Sequence, residues 1–175
     1  MRMKLNDLIK AAIFSAIAIG LGYMFLFVPN VEFISVTVFL SGLTLGFFWG
    51  AIVGMSSIAL YSIFNPLGSG IIYFTLLIGQ VVAMGMIGLV GAFSKRFFNI
   101  VKPKHHVILA GTIGFMCTSL YDAVTNLAYP ISAGYAWTET LVYAFAGMLF
   151  TAMHLFSNVI IFSIVVSSYI KKMRF

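Results

Sequence analysis

The feature that most constrains the fold of this chain is a long stretch without any charged side chain. Between Glu32 and Lys95 the sequence contains no Asp, Glu, Lys or Arg. Over all 175 residues only 8% are charged, against about 25% in a typical soluble domain. A surface built from such a sequence has too few charges to remain in water. The chain is therefore predicted to be an integral membrane protein.

The spans of such a protein are expected to be helices, because irregular backbone facing lipid would leave its N–H and C=O groups without hydrogen bonds. A transmembrane helix needs roughly 20 mostly apolar residues. The apolar run 33–64 is too long for one ordinary span: one tilted helix there gives five spans, and two short helices joined near 46–50 give six. We predict one all-α domain over 1–175. In the six-span alternative its helices lie at about 8–28, 33–47, 50–64, 71–93, 107–129 and 140–170.

The positions of the basic residues favour six spans. All ten lie near the N-terminus, in the loop 94–106 or at the C-terminus; they are Arg2, Lys4, Lys10, Lys95, Arg96, Lys102, Lys104, Lys171, Lys172 and Arg174. With six spans the three groups share one side, whereas five spans would move the central loop across. The positive-inside rule then predicts that both termini and this loop are cytoplasmic. The net charge of +6 is explained by orientation and anionic lipid, and it does not indicate binding to nucleic acid.

Three turns lie on the outer side in this topology. They are PNVE (29–32), FNPLGSG (64–70) and PISAGYAWTE (130–139). Each contains Pro, and none contains Lys or Arg. Taken singly, each is explained as the end of a helix. Together, three such turns at one face can close over a pocket.

Polar residues within the predicted spans are candidates for a functional role or for hydrogen bonds between helices. Asp122 is the only acid inside the apolar segments, and burying a carboxylate there costs several kcal/mol unless it is paired or faces water. Asn126 lies one turn further along the same face, and Tyr121 is adjacent. We predict a functional role for Asp122. We interpret Gln80 and the i, i+4 pair His154 and Asn158 as residues that form hydrogen bonds between helices.

Small residues recur every four positions in two places. Ala12, Ala16 and Gly20 form one stripe along the first helix, and such a stripe allows another helix to approach closely. For Ala12 and Ala16, packing inside the molecule and docking to a partner are both open. The second run fits tight packing of the two short helices against each other; it consists of Gly42, Gly46, Gly50 and Gly54.

Catalytic motifs are missing from the sequence. It contains no G-x-x-x-x-G-K-[ST] phosphate loop, no G-x-S-x-G and no H-E-x-x-H. Its single cysteine, Cys117, cannot form an internal disulfide. We therefore predict that the chain is not an enzyme, that it has no catalytic or metal-binding residues, and that it needs no cofactor.

Several stretches resemble one known family, the substrate-binding S components of energy-coupling factor (ECF) vitamin transporters. The stretch PNVEFISVTVFLSGLTLGFFWGAIVG resembles the first outer loop and helices 2–3 of one large S-component family, and SIFNPLGSG resembles its third-loop turn. The stretches SLYDAVTNLAYP and HLFSNVIIFSIV resemble the end of its fifth helix and its sixth helix. The order of these stretches, the A-x-x-x-A in the first helix and the six spans extend the resemblance over essentially the whole chain.

The resemblance implies a multi-pass protein of a prokaryotic cell membrane that takes part in uptake of a vitamin or related micronutrient. ATP hydrolysis would come from two cytoplasmic ATPases, acting through a membrane T component to which Ala12 and Ala16 would dock. The implied ligand site lies at the outer side. Its residues in this sequence would be Asn30, Glu32, Asn65, Pro66, Gln80, Tyr121, Asp122, Asn126 and Trp137.

The turn FNPLGSG would then be both a wall of the pocket and its gate. Pro66 fixes one φ angle, and its glycines allow conformations that other residues avoid. The outer half of the protein, in this topology, contains acids but no Lys or Arg, so we expect a neutral or cationic ligand. Two other classes of function stay open: a self-sufficient secondary transporter or channel, and a non-transporting membrane assembly protein.

Overall fold

The computed structural model describes residues 5–68 and 70–173. Within these ranges the chain forms α-helices, two short 3-10 helices and no β-strand. The α-helices are α1 (Leu5–Met24), α2 (Ile34–Leu45), α3 (Phe47–Ile63), α4 (Phe74–Ile100), α5 (His106–Ser132), α6 (Trp137–Ala146) and α7 (Met148–Met173). The 3-10 helices Gly70–Tyr73 and Pro103–His105 lead into α4 and α5. Ser69 of the FNPLGSG turn and the basic residues Arg2, Lys4 and Arg174 lie outside the described residues.

Four of these segments are long and apolar enough to cross a membrane, as judged by length and composition. They are Leu5–Met24, Gly70–Ile100, Pro103–Ser132 and Met148–Met173. The helices α2 and α3 are apolar but shorter, with 12 and 17 residues. Large apolar side chains cover the outside of the long helices, and Phe156 on α7 is 71% exposed. Helix content and apolar surface thus confirm the predicted all-α membrane protein.

The helix α2 occupies the centre of the molecule. Every residue from Ile34 to Leu43 is buried, as expected for a helix that is apolar on all faces. It packs against α1, α3, α4 and α7, and the rings of Phe39 and Phe162 join it to α7 with centroids 5.4 Å apart. A short helix enclosed in this way is held by its neighbours and has little contact with lipid.

Glycines set the spacing between α2, α3 and α4. A Cβ atom at Gly42 or at Gly50 would overlap the backbone of Gly88, so the three helices meet backbone to backbone. Gly46 separates α2 from α3 with a φ of 88°, a conformation that favours glycine. The turn that we expected near 46–50 falls at Gly46. The expected tight packing is present at Gly42, Gly50 and Gly54, with α4 as a third partner, but not at Gly46, where a Cβ atom would meet nothing within 4 Å.

The second half of the chain differs from the expected bounds. We expected the helix to end at Pro130, but α5 includes Pro130 and ends at Ser132. The segment that we expected as one span, 140–170, consists of two helices, since α6 ends at Ala146 and α7 begins at Met148. The break falls at Gly147, where glycine weakens a helix relative to alanine. Gly147 also lines a cleft at the surface of the molecule.

Candidate functional site

A cluster of polar side chains lies where the loop between α1 and α2 meets α5 and α7. The loop contributes Asn30 and Glu32, and α5 contributes Asp122 and Asn126. The side chains from α7 are Thr151, His154, Ser157 and Asn158. Uncompensated polar groups are costly in an apolar interior, so a cluster of this kind among apolar helices indicates either structural hydrogen bonding or a binding site.

His154 is at the centre of this cluster, between two carboxylates. Its Nδ1 lies 2.8 Å from Oδ1 of Asp122, and its Nε2 lies 3.9 Å from Oε1 of Glu32. The side chains of His154 and Asp122 are only 13% and 11% exposed. Asn158, one turn further along α7, places its Nδ2 2.9 Å from Nε2 of His154 and 3.3 Å from Oε1 of Glu32. The amide can thus donate a hydrogen bond to Glu32, and a second one to His154 only when Nε2 of the imidazole is unprotonated.

Glu32 also fixes the start of α2. Its Oε2 accepts hydrogen bonds from the backbone N–H groups of Ile34 and Ser35, at 2.7 and 3.0 Å. These N–H groups have no partner within the helix. Burial alone would raise the pKa of Glu32, but His154 and the Ser35 hydrogen bonds outweigh it and hold the pKa below its ordinary value. Glu32 is therefore an ionised group that links the first turn of α2 to α7.

The loop is anchored to α7 a second time through Asn30. The Asn30 backbone has a φ of 58°, in the left-handed region that Asn tolerates better than most residues. Its carbonyl oxygen accepts a hydrogen bond from the hydroxyl of Ser157. Two points of the loop, Asn30 and Glu32, are thus held by consecutive residues of α7.

A cleft of about 440 Å³ opens beside the cluster. Its size falls within the roughly 300–1,000 Å³ typical of small-molecule sites. Polar groups occupy one part of its wall, and the aromatic rings of Tyr143 and Phe150 occupy another. The lining consists of Asn30, Asp122, Asn126, Tyr143, Ala146, Gly147, Phe150, Thr151 and His154. Because Gly147 is in this lining, the break between α6 and α7 helps to form the cleft.

A second, smaller cavity of about 230 Å³ lies between the loop and α1, lined in part by Gly22, Glu32 and Tyr61. Asn30 and His154 line both cavities. These two side chains therefore form part of the partition between them. A change in either residue would alter both spaces.

Two buried polar atoms at the partition and cleft have no hydrogen-bond partner among the described residues: Oδ2 of Asp122 and Nδ2 of Asn30. Asp122 is 8% exposed and lines the cleft. Unpaired buried polar atoms are rare because each costs free energy. One acceptor and one donor of cleft-lining residues are thus left without a partner.

The structure brings together four of the predicted site residues, Asn30, Glu32, Asp122 and Asn126. All except Glu32 line the larger cleft, and Asn126 donates a hydrogen bond of 3.2 Å to Thr151. Tyr121 borders the cluster, with its ring centroid 6.4 Å from that of His154.

The remaining four predicted site residues lie outside the cluster and, like Glu32 and Tyr121, do not line the cleft. Gln80 accepts a hydrogen bond of 2.7 Å from Ser62 and links α4 to α3. Asn65 accepts one from the backbone of Leu67 at 2.9 Å, within its own turn, and the adjacent Pro66 is exposed. Trp137, at the start of α6, is 64% exposed.

Several residues of the site do not appear among the predicted site residues. His154 and Asn158 were interpreted as helix–helix hydrogen bonds, which they make, but His154 also lines both cavities. Their i, i+4 spacing, in register with the Asp122–Asn126 pair on α5, is the signal that could have identified them. Tyr143 and Phe150 give no comparable signal, because aromatic residues are frequent throughout this sequence.

The predicted docking stripe lies apart from the cleft. Ala12, Ala16 and Gly20 are all exposed on α1, and a Cβ atom at Gly20 would meet nothing within 4 Å. These three residues therefore do not pack inside the molecule, whereas Ala11 and Ala18 of the same helix do.

Comparisons with known proteins do not identify a family: no family model matches the chain, and no curated protein or solved structure matches it.

Proposed function

We propose that this chain is the membrane-embedded, substrate-binding subunit of an uptake system for a vitamin or related micronutrient. The observation that carries the proposal is the 440 Å³ cleft beside the Asp122–His154–Glu32 cluster. A concave space with an aromatic wall and a few converging polar groups is typical of a small-molecule site. Such a subunit corresponds to an S component of an ECF transporter, an ABC-type importer.

The proposed orientation has six spans, with both termini and the α4–α5 link in the cytoplasm of a prokaryotic cell. It is supported by the absence of Lys and Arg from residues 11–94 and 105–170, which contain the whole cleft. Lys95 and Arg96 lie near the end of α4, and Lys171 and Lys172 lie in the last turn of α7. By the positive-inside rule these ends face the cytoplasm, and the cleft then opens toward the outer side.

The proposed partners are a membrane T component and two cytoplasmic ATPases. The sequence supplies no phosphate loop of its own, so in this proposal ATP is hydrolysed by another chain. The exposed small-residue stripe on α1 gives a flat face against which a partner helix could pack closely. Ala12 and Ala16 are the residues of this face that we propose for docking.

Native mass spectrometry of the mildly purified chain tests the proposal. We expect one small molecule per chain, released on denaturation and identified as a micronutrient, and co-purification of a T-type membrane protein with ATPases from the native membrane. A folded preparation that carries no molecule, binds no micronutrient and recovers neither partner would refute it.

A second candidate function is supported by the same cluster. Ionisable residues within the membrane often form proton relays in secondary transporters, and Glu32, His154 and Asp122 form a chain of three such groups. Uptake by the purified chain alone in proteoliposomes, driven by a proton gradient without ATPases, would favour this candidate. Uptake that requires the T component and ATP would favour the substrate-binding subunit.

A further inference from the structure

The charge of the cluster indicates what kind of ligand the cleft accepts. Asp122 and Glu32 contribute two carboxylates, and even a fully protonated His154 offsets only one of them. No Lys or Arg is present in residues 11–94 or 105–170, which contain every residue of the cleft. An anionic ligand would enter a site with a net negative charge and low dielectric, where like charges repel strongly.

The hydrogen-bonding capacity of Asp122 adds a second, independent indication. Its Oδ1 is occupied by His154, but its Oδ2 is buried without a partner. Only 8% of the residue and 11% of its side chain are exposed, and Asp122 lines the cleft. A carboxylate oxygen only accepts hydrogen bonds. The missing partner is therefore a donor, and a charged donor gives the strongest bond.

The aromatic wall of the cleft fits the same chemistry. Tyr143 lines the cleft and stacks on Tyr129, with ring centroids 5.4 Å apart and an interplanar angle of 30°. Tyr73 and Tyr135 pack edge-on against this pair. Aromatic faces attract cations through their quadrupole, and they also stack on flat rings. The wall therefore suits either a cationic group or an aromatic ring.

From these observations, and resting on the proposed function, we propose that the cleft binds a compact organic cation whose charged N–H group donates a hydrogen bond to Asp122. The apolar or aromatic part of the ligand lies against Tyr143 and Phe150. The cation is organic, because the aromatic rings of Tyr143 and Phe150 line the cleft and suit an apolar or aromatic group.

The test uses the intact chain in lipid nanodiscs and isothermal titration calorimetry. The probes are pyridoxamine, whose cationic ammonium group carries N–H donors, neutral riboflavin and pyridoxine, and anionic biotin and pantothenate. Pyridoxamine and pyridoxine form a matched pair, since an amine in one replaces a hydroxyl in the other. We expect pyridoxamine to bind at least about tenfold more tightly than pyridoxine.

A variant pair assigns the effect to Asp122. Asp122→Asn keeps the shape of the side chain and removes its charge, and we expect it to weaken binding of the cationic probe at least about 30-fold. Asp7→Asn, the same change near the start of α1, is the control and should bind as the wild type does. If Asp122→Asn fails to fold, the comparison of cationic with neutral and anionic probes on the wild-type chain still decides the question.

The outcomes separate this inference from the proposed function. A cationic probe that binds to wild type and is lost in Asp122→Asn supports both. Tight binding of a neutral or anionic micronutrient, with no cation bound, overturns the cationic ligand and leaves the micronutrient function intact. Binding of a cation with equal affinity by wild type and Asp122→Asn overturns the role of Asp122. A folded chain that binds none of the probes overturns both proposals.

Discussion

The imidazole Nδ1 of His154 lies 2.8 Å from Oδ1 of Asp122, and this contact joins α7 to α5 at the edge of the cleft. On its other side the imidazole faces Glu32, so one side chain connects two helices and the loop that precedes α2. Removing it would leave two carboxylates in a confined space without their shared partner.

Replacing His154 should therefore destabilise the fold. We expect His154→Ala to lower the free energy of unfolding by about 3 kcal/mol, the cost of leaving buried charges unpaired. The matched control is His105→Ala, at an exposed histidine in the link before α5, with an effect within about 0.5 kcal/mol. Denaturation in detergent followed by circular dichroism measures both. Equal losses in the two variants would show that the contacts of His154 add nothing to stability.

The glycine contact between α3 and α4 gives a prediction about packing. A Cβ atom at Gly88 would overlap the backbone of Gly50, whereas one at Gly20 would meet open space. We expect Gly88→Ala to cost at least about 1–3 kcal/mol by overpacking. Gly20→Ala, also in a helix, should be neutral or stabilising by up to about 1 kcal/mol. Thermal unfolding of both variants is the measurement, and a stable Gly88→Ala protein would contradict the backbone-to-backbone approach.

The lowered pKa of Glu32 predicts a dependence of stability on acid pH. The unfolded chain has the ordinary value of 4.5, and the folded state has a lower one. The contribution of Glu32 is therefore fully present above the unfolded pKa and is lost as pH falls through the folded pKa. Unfolding midpoints of Glu32→Gln should fall less steeply than those of wild type below about pH 5. A Glu32→Gln curve as steep as that of wild type would contradict the lowered pKa.

Blocking the cleft should prevent ligand binding without unfolding the chain. Ala146 and Ala152 are both exposed, but only Ala146 lines the cleft. We expect Ala146→Trp to reduce the amount of co-purifying small molecule at least about tenfold, because the indole occupies space that the ligand needs. Ala152→Trp should retain it. Native mass spectrometry of both variants gives the result, and full occupancy in Ala146→Trp would place the ligand elsewhere.

The exposed stripe on α1 predicts that a large side chain there prevents association with the partner helix. A Trp at Ala12 or Ala16 would hold a partner helix away, since close helix contact in membranes depends on small residues. We expect Ala12→Trp to abolish co-purification of the proposed T component while ligand binding is unchanged. Ile13→Trp, at a neighbouring residue that is 53% exposed, is the control and should still recover the partner. Loss in both variants would point to a general disturbance of α1.

The helical character of the chain and much of its inner packing could be predicted from the sequence. Long uncharged apolar runs allow only structures that satisfy their own backbone hydrogen bonds, so the helices, and the turn at Gly46, follow from local composition. The Asp122–Asn126 face could be predicted for the same reason, because helical periodicity fixes which neighbours share a side. These properties depend on residues close together in the chain.

The site itself was decided by tertiary structure. Glu32, Asp122 and His154 lie far apart in the sequence, and only the packing of α5 and α7 against the first loop brings their side chains within 4 Å of one another in pairs. The same packing leaves Asn65 and Trp137 away from the cleft and places Tyr143 and Phe150 in it. Helical periodicity gives the direction in which a side chain points from the axis of its own helix. Which helix it meets depends on the shapes of all the helices packed together, a property that no local pattern contains.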